Sequence, residues 1–176
     1  AAVAKQIGLT RFATGYLEHA GAALPASYSA NHNLAQSYLI SDDVDSARRT
    51  ALRALGLSPL QAEAHATYAQ TLMAKNDNLQ PDAQRALRHW QRAVVLEPTA
   101  IDHTFGLAVC ALESSQIDLA RATAEKALEM SSVSNSNENN QSISRAHILL
   151  GEVLAQIGEQ SSAFDHFQHA TAIAPT

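Results

Sequence analysis

Small residues recur at a fixed phase along this chain, and that periodicity constrains its fold more than any other feature. Pro25 and Pro59 lie 34 residues apart, and Pro59 and Pro98 lie 39 apart. Pro175 closes a further stretch of two repeats plus an insertion. The same spacing stands upstream of each proline: Ala13, Leu17 and Ala20; Ala47, Ala51 and Ala54; Ala86, Trp90 and Ala93; Ala163, Phe167 and Ala170. Ala120, Ala124 and Ala127 keep it without a proline. A second motif precedes each of the last four sets: Leu34-Ala35 then Tyr38, Tyr68-Ala69 then Leu72, Leu107-Ala108 then Ala111, and Leu150-Gly151 then Leu154. Steps of three and four put these residues on one helix face. Each unit is therefore a pair of helices meeting through small residues, ended by a proline that cannot continue a helix. Ala86 and Ala163, in the small-residue slot, are expected to be buried.

These residues together resemble the tetratricopeptide repeat, a helix–turn–helix unit of 34 residues. The resemblance covers four copies, at 28–61, 62–100, 101–134 and 144–176, preceded by residues 1–27 as the second half of a truncated repeat. It implies an all-α fold, a right-handed superhelical solenoid of antiparallel helix pairs whose first helices line a concave groove. The departures from the pattern are local. Repeat 2 holds five extra residues within 75–81. The run Ser131–Ser142, almost all Ser, Asn, Gln and Glu, is expected to be mobile, with 135–143 as the polar flexible insertion between repeats 3 and 4. Ala1–Ile7 reads as the tail of a separate first helix, and the chain stops at a repeat boundary. The expectation is a segment of a longer protein. The face of its last helix (Ala163, Phe167, Ala170, Ile173) would then lie open and favour self-association.

Composition excludes several classes. Aromatic residues are 5% of the chain while hydrophobic residues are 46%, an alanine-weighted inventory that suits helix over strand. One cysteine, Cys110, rules out an internal disulfide framework and a Cys-rich zinc site. No run approaches a membrane span, and the charged residues in Ala1–Ala23 do not suit a signal peptide. The net charge of −5 disfavours nucleic acid as ligand. There is no phosphate loop, nucleophile elbow or HExxH motif, so no enzyme, cofactor or small-molecule substrate is expected. Eight histidines are present. His166 and His169 are spaced to share a metal, but no third ligand is apparent and none is expected to bind. His65 and His147 occupy equivalent repeat positions, which points to packing between helices.

The resemblance maps the groove onto named residues. These are His32, Gln36 and Leu39; Glu63, Gln70 and Met73; Asp102, Phe105, Val109 and Leu112; and Arg145, Ile148 and Glu152. Phe105, Val109 and Leu112 are expected as a partly exposed apolar centre ringed by Glu63, Asp102 and Glu152. Such a face favours a protein partner, a peptide or helix with apolar anchors and a basic bias. The subfamily that holds acidic chaperone tails uses Lys, Asn and Arg where this chain has His32, Gln36, Thr67, Asp102 and Leu149, so that role is disfavoured. On the second helices Arg49, Arg53, Arg88, Arg92 and Lys126 recur at exposed positions as a convex basic stripe. The leading expectation is a non-catalytic protein-interaction scaffold in the cytoplasm. One alternative is an anionic-surface binder using the arginines. Another follows from Ala69–Ala74 and Leu79–Ala83, which faintly resemble the helper repeats of bacterial cytochrome c maturation factors and imply the periplasm.

Overall fold

The computed structural model describes residues 2–75, 81–133 and 138–173, with side chains described for 12–75, 81–132 and 140–173. Among the described residues all regular structure is helical: α1 (Ala2–Ala23), α2 (Tyr28–Ile40), α3 (Val44–Leu57), α4 (Ala62–Met73), α5 (Ala83–Leu96), α6 (Ile101–Glu113), α7 (Ile117–Val133), α8 (Glu138–Gln156) and α9 (Gln160–Ile173). The chain forms two compact units, 1–96 and 97–176, so α1–α5 belong to the first and α6–α9 to the second. Within them α2 packs on α3, α4 on α5, α6 on α7 and α8 on α9. The short links between α2 and α3 and between α6 and α7 leave each such pair antiparallel.

The small residues sit where the helices meet. Ala35, Ala69 and Ala108 on first helices, and Ala47, Ala86, Ala120 and Ala163 on second helices, are all buried. Their lack of side-chain bulk lets the backbones approach, and larger residues fill the flanks: Tyr68, Leu72, Leu87 and Trp90 between α4 and α5 are buried too. In the second unit Phe105, Ala108, Ala124, Ala127, Ala146, Leu149 and Leu150 form one apolar cluster, with Ile101 and Leu128 against it.

One hydrogen bond recurs at every turn between first and second helices. Asp43 N–H donates to Tyr38 O, Asp82 to Leu72, Gln116 to Ala111 and Glu159 to Leu154, at 2.8–2.9 Å. Three of the turns reach it through a left-handed residue: Asp42 (φ 60°), Ser115 (φ 57°) and Gly158 (φ 84°). The turn of repeat 2 carries the insertion. Its residues 76–80 lie outside those described, but the bond from Asp82 to Leu72 closes the turn across it. Asp43 and Asp82 also cap their helices, accepting from Ser46 N–H at 3.1 Å and Arg85 N–H at 3.0 Å. There the carboxylates satisfy orphan donors and complement the helix dipole.

Three expectations need correction. Residues Ala2–Ala23 form one continuous helix, not the tail of one helix followed by another. The segment holds no proline, and its Gly8 costs a helix about 1 kcal/mol without breaking it. The polar run Ser131–Ser142 is not a loop throughout: α7 extends to Val133 and α8 begins at Glu138, with 134–137 outside the described residues. Ser131 Oγ donates to Ala127 O and Ser132 Oγ to Glu129 O, both at 2.7 Å. These hydroxyls bond back to carbonyls of their own helix, a contact at slight cost that the helix accommodates. The face of α9 expected to lie open is covered only in part: Ala163 is 3% exposed and Ala170 4%, because the small-residue face of a second helix packs first on its own partner, α8, whereas Phe167 is 36% exposed and Ile173 half-buried.

Candidate partner-binding site

In the first unit, the facing sides of α2 and α4 form a polar ladder. Gln36 Nε2 donates to Thr67 Oγ1 at 3.0 Å and to Gln70 Oε1 at 3.2 Å. His32 Nδ1 lies 3.2 Å from the same Thr67 hydroxyl, and Tyr28 stacks on the His32 ring with centroids 5.5 Å apart. Burial lowers the affinity of His32 for a proton, an effect that the nearby Glu63 carboxylate opposes. The structure thus brings His32, Gln36 and Gln70 together, with Glu63 exposed beside them and Leu39 and Met73 half-buried. Thr67, the hub of the ladder, is 2% exposed.

In the second unit, α6 and α8 present a different face. Arg145 Nη1 donates to Asp102 Oδ1 at 3.2 Å, and its guanidinium lies 4.4 Å from the centroid of the Phe105 ring. This cation–π contact, together with the ion pair, holds Arg145 as a lid on that ring. Phe105 is 1% exposed, which corrects its expected role as a partly exposed anchor. At its point in the repeat the side chain turns into the α6–α7–α8 cluster, and what it shows outward is covered by Arg145. Leu112 is also largely buried, at 9%, whereas Val109 and Ile148 are 39% and 41% exposed.

A cleft of about 430 Å³ opens beside them, lined by Val109, Leu112, Glu113, Glu152, Ala155, Gln156 and Phe167. Val109, Leu112 and Glu152 are among the groove positions that the resemblance implies. Phe167 shares the phase of the small residues of α9 and is not among those groove positions. It comes from α9, and it reaches this face because Gly151 has no side chain: a Cβ there would lie 2.6–2.9 Å from three ring atoms of Phe167. The glycine in an alanine slot was the available signal.

The basic residues divide by partner. Arg48 donates to Thr71 O at 2.9 Å, Arg85 to the Tyr68 hydroxyl at 2.9 Å, and Arg121 pairs with Glu125 at 3.1 Å. Arg49, Arg53, Arg88 and Arg92 are exposed in the first unit and Lys126 in the second. Among the described residues none of these five forms an ion pair, and Arg49 donates to Ser46 Oγ at 3.2 Å. Burial pushes the thiol of Cys110 up to about 11, so it stays protonated and a poor nucleophile. No described helix is long and apolar enough to cross a membrane.

Paired helices with small residues at their contacts, repeated at constant phase, define a helical-repeat protein, and comparison with known proteins agrees. Residues 99–176 match the family model described as Tetratricopeptide repeat. Among solved structures, MamA superposes with a TM-score of 0.75 at 18% identity, over 96% of this chain and 91% of that one. YrrB, described as a TPR protein with an unusual peptide-binding site, gives 0.72 at 16% identity over 99% and 82%. TTC0263, a thermophilic TPR protein of Thermus thermophilus, gives 0.72 at 16% over 99% and 88%. At these identities the likeness establishes the fold. No curated protein matches the sequence.

Proposed function

We propose that the chain is a non-catalytic interaction scaffold that takes a peptide or helix of a partner protein on the faces of its first helices. The cleft beside Val109 is the anchoring point. One observation carries this reading. The cleft has apolar walls from Val109, Leu112, Ala155 and Phe167, two carboxylates at Glu113 and Glu152, and no cation among its lining residues. An apolar side chain entering it exchanges water for hydrocarbon at roughly 25 cal/mol per Å². Lysine or arginine beside that anchor meets Glu113 and Glu152, whereas an acidic neighbour is repelled. The polar ladder of His32, Gln36, Thr67 and Gln70 offers amide and hydroxyl groups suited to a peptide backbone. The peptide-binding site of YrrB, on the same fold, supports the class of ligand.

The test is a peptide panel read by fluorescence anisotropy on the intact chain, with Leu or Phe anchors flanked by Lys and Arg or by Glu. The basic peptides are expected to bind and the acidic ones not. A Glu113→Lys/Glu152→Lys variant should reverse the order. If no member binds, or the reversal leaves the preference unchanged, the cleft is not the site.

A second reading, an anionic-surface binder, is favoured by the exposed arginines of α3 and α5 that form no ion pair. Binding to heparin that weakens steeply with salt and is lost in an Arg88→Ser/Arg92→Ser variant would support it.

A further inference from the structure

Each repeat holds one polar position on its first helix, four residues before the small residue, and one on its second helix, three residues after it. The pairs are Asn31 and Thr50, His65 and His89, Thr104 and Thr123, and His147 and His166. In repeats 1 and 3 Asn31 and Thr123 bond to nearby backbone: Asn31 donates to Pro25 O and Ser27 O, and Thr123 to Leu119 O and Ala120 O. In repeats 2 and 4 the two imidazoles instead bond to each other across the helix pair. His65 Nδ1 and His89 Nδ1 are 3.0 Å apart, and His147 Nδ1 and His166 Nδ1 are 2.9 Å apart. A contact made twice with the same atoms, at equivalent positions of two repeats, is a built feature.

Its chemistry follows from proton placement. His65 Nε2 lies 3.0 Å from Pro59 O, and a carbonyl only accepts, so this nitrogen carries the hydrogen. The neutral His65 ring then offers Nδ1 as acceptor, and His89 Nδ1–H donates to it. The second pair needs the same arrangement of one donor and one acceptor. Once both rings are protonated, two N–H groups point at each other across about 3 Å and two positive charges face between the helices.

We propose that His65–His89 and His147–His166 are acid-sensitive clasps, each holding the second helix of its repeat to the first while one Nδ1 stays unprotonated, and each released when both rings are charged. The surroundings favour this. Burial, then the facing His65 and the nearby Arg85 and Arg88, hold His89 below the ordinary imidazole range. Burial, then His166 and His169, do the same for His147. The edge of the Tyr68 ring packs on His89 with centroids 4.9 Å apart, and His169 stacks on His147 at 5.3 Å.

Charged groups on the neighbouring helices are mostly engaged elsewhere. Around the first pair, Arg48 of α3 is held on Thr71 O. His32 of α2 is bonded to Thr67, with Glu63 of α4 near it. Around the second, Arg121, Glu125 and Glu129 of α7 line a pocket with His166, where Arg121 holds Glu125. Asp102 of α6 is held by Arg145 of α8. Among the described residues no carboxylate forms an ion pair with the four clasp rings.

The sign of the effect is fixed by linkage. Imidazoles held below 6.5 in the folded chain bind protons less readily than in the unfolded chain. The clasp contribution is therefore complete above that value and is lost as the pH falls through the folded-state value. The test compares the intact chain with a variant in which His65, His89, His147 and His166 are all threonine, the residues repeat 3 uses. Unfolding midpoints are measured from about pH 8 to about pH 5, and the imidazole resonances are titrated by NMR. For the natural chain the unfolding constant is expected to rise with acid by up to about tenfold per pH unit for each lowered histidine. Amide exchange in α5 and α9 should quicken more than in α3 and α7. In the threonine variant the unfolding constant should lose most of this acid dependence. His89→Gln and His166→Gln keep a donor to the partner ring without its titration, and serve if the fourfold variant does not fold.

An acid dependence that is the same in variant and natural chain overturns the proposal. So does titration of His89 and His147 in the ordinary range. So too does stabilisation by Zn²⁺ at neutral pH that the threonine variant lacks, which would make the pairs metal ligands.

Discussion

Replacing Gly151 by alanine tests both the packing of α9 and the wall of the cleft, and its sign depends on one neighbour. Alanine is preferred over glycine inside a helix by about 1 kcal/mol, and Ala35, Ala69 and Ala108 hold the same slot without strain. Against this, the added Cβ would lie 2.6, 2.8 and 2.9 Å from ring atoms of Phe167, well inside the roughly 3.5–4.0 Å of a normal carbon contact. The ring must move. Phe167 is 36% exposed, so nearly two thirds of it is covered, and ejecting it outright forfeits about 2–4 kcal/mol of burial. A swing that keeps half the contact forfeits about 1–2 kcal/mol. The net expectation for Gly151→Ala is destabilisation by about 0–1 kcal/mol, with the cleft reshaped. In a Phe167→Ala background the obstacle is gone, and the same change should stabilise by about 1 kcal/mol. Urea unfolding of the four proteins forms a double-mutant cycle with an expected coupling of about 1–2 kcal/mol. In repeat 2 the equivalent positions hold Ala69 and Trp90, both buried, so an alanine and an aromatic ring can occupy these two positions of one repeat. If Phe167 can take the placement of Trp90, Gly151→Ala will stabilise the natural chain as well. That result would refute the reasoning.

Other outcomes follow from individual sites. Ala86→Leu or Ala163→Leu overfills a contact between paired helices and should cost roughly 1–3 kcal/mol, seen as a lower melting temperature; no change would mean that the helix register is wrong. Phe105→Ala removes a buried ring from the α6–α7–α8 cluster and should cost about 3–5 kcal/mol in denaturant unfolding; a near-neutral result would place the ring at the surface. Burial first, then its hydrogen bond to Glu18 at 2.8 Å, pushes the phenol of Tyr38 up from 10.0 to about 12. The contribution of Tyr38 is therefore complete below pH 10 and is lost as the pH rises towards 12, a loss that Tyr38→Phe should remove from alkaline unfolding curves.

Much of this protein follows from its sequence alone. Steps of three and four between small residues determine which helix faces must be buried, because side-chain direction along a helix follows from its 3.6-residue period. Ala86, Ala120 and Ala163 could be placed at helix contacts on that ground. Asp43, Asp45, Asp82, Asp118 and Asp165 fall near the starts of second helices, where negative charge suits the helix dipole, and the structure makes Asp43 and Asp82 caps. The resemblance to the tetratricopeptide repeat, not phase by itself, implies groove positions at Val109, Leu112 and Glu152, and these three line one cleft.

Tertiary structure decided what phase cannot, namely how far each side chain is covered once its neighbours are in place. Phe105 and Val109 are one helical turn apart on the same face, yet one lies in the cluster beneath Arg145 and the other is open to solvent. Arg145 and Asp102 are 43 residues apart, and no local pattern announces their pairing. The polar run from Ser131 reads as loop by composition, but its serines bond back to helix carbonyls and α7 continues through them. The histidine pairs show the division best. Sequence places His65 and His147 at equivalent positions. The bond from each to His89 or His166 appears only when the second helix is laid against the first, because a hydrogen bond depends on distance and direction in space.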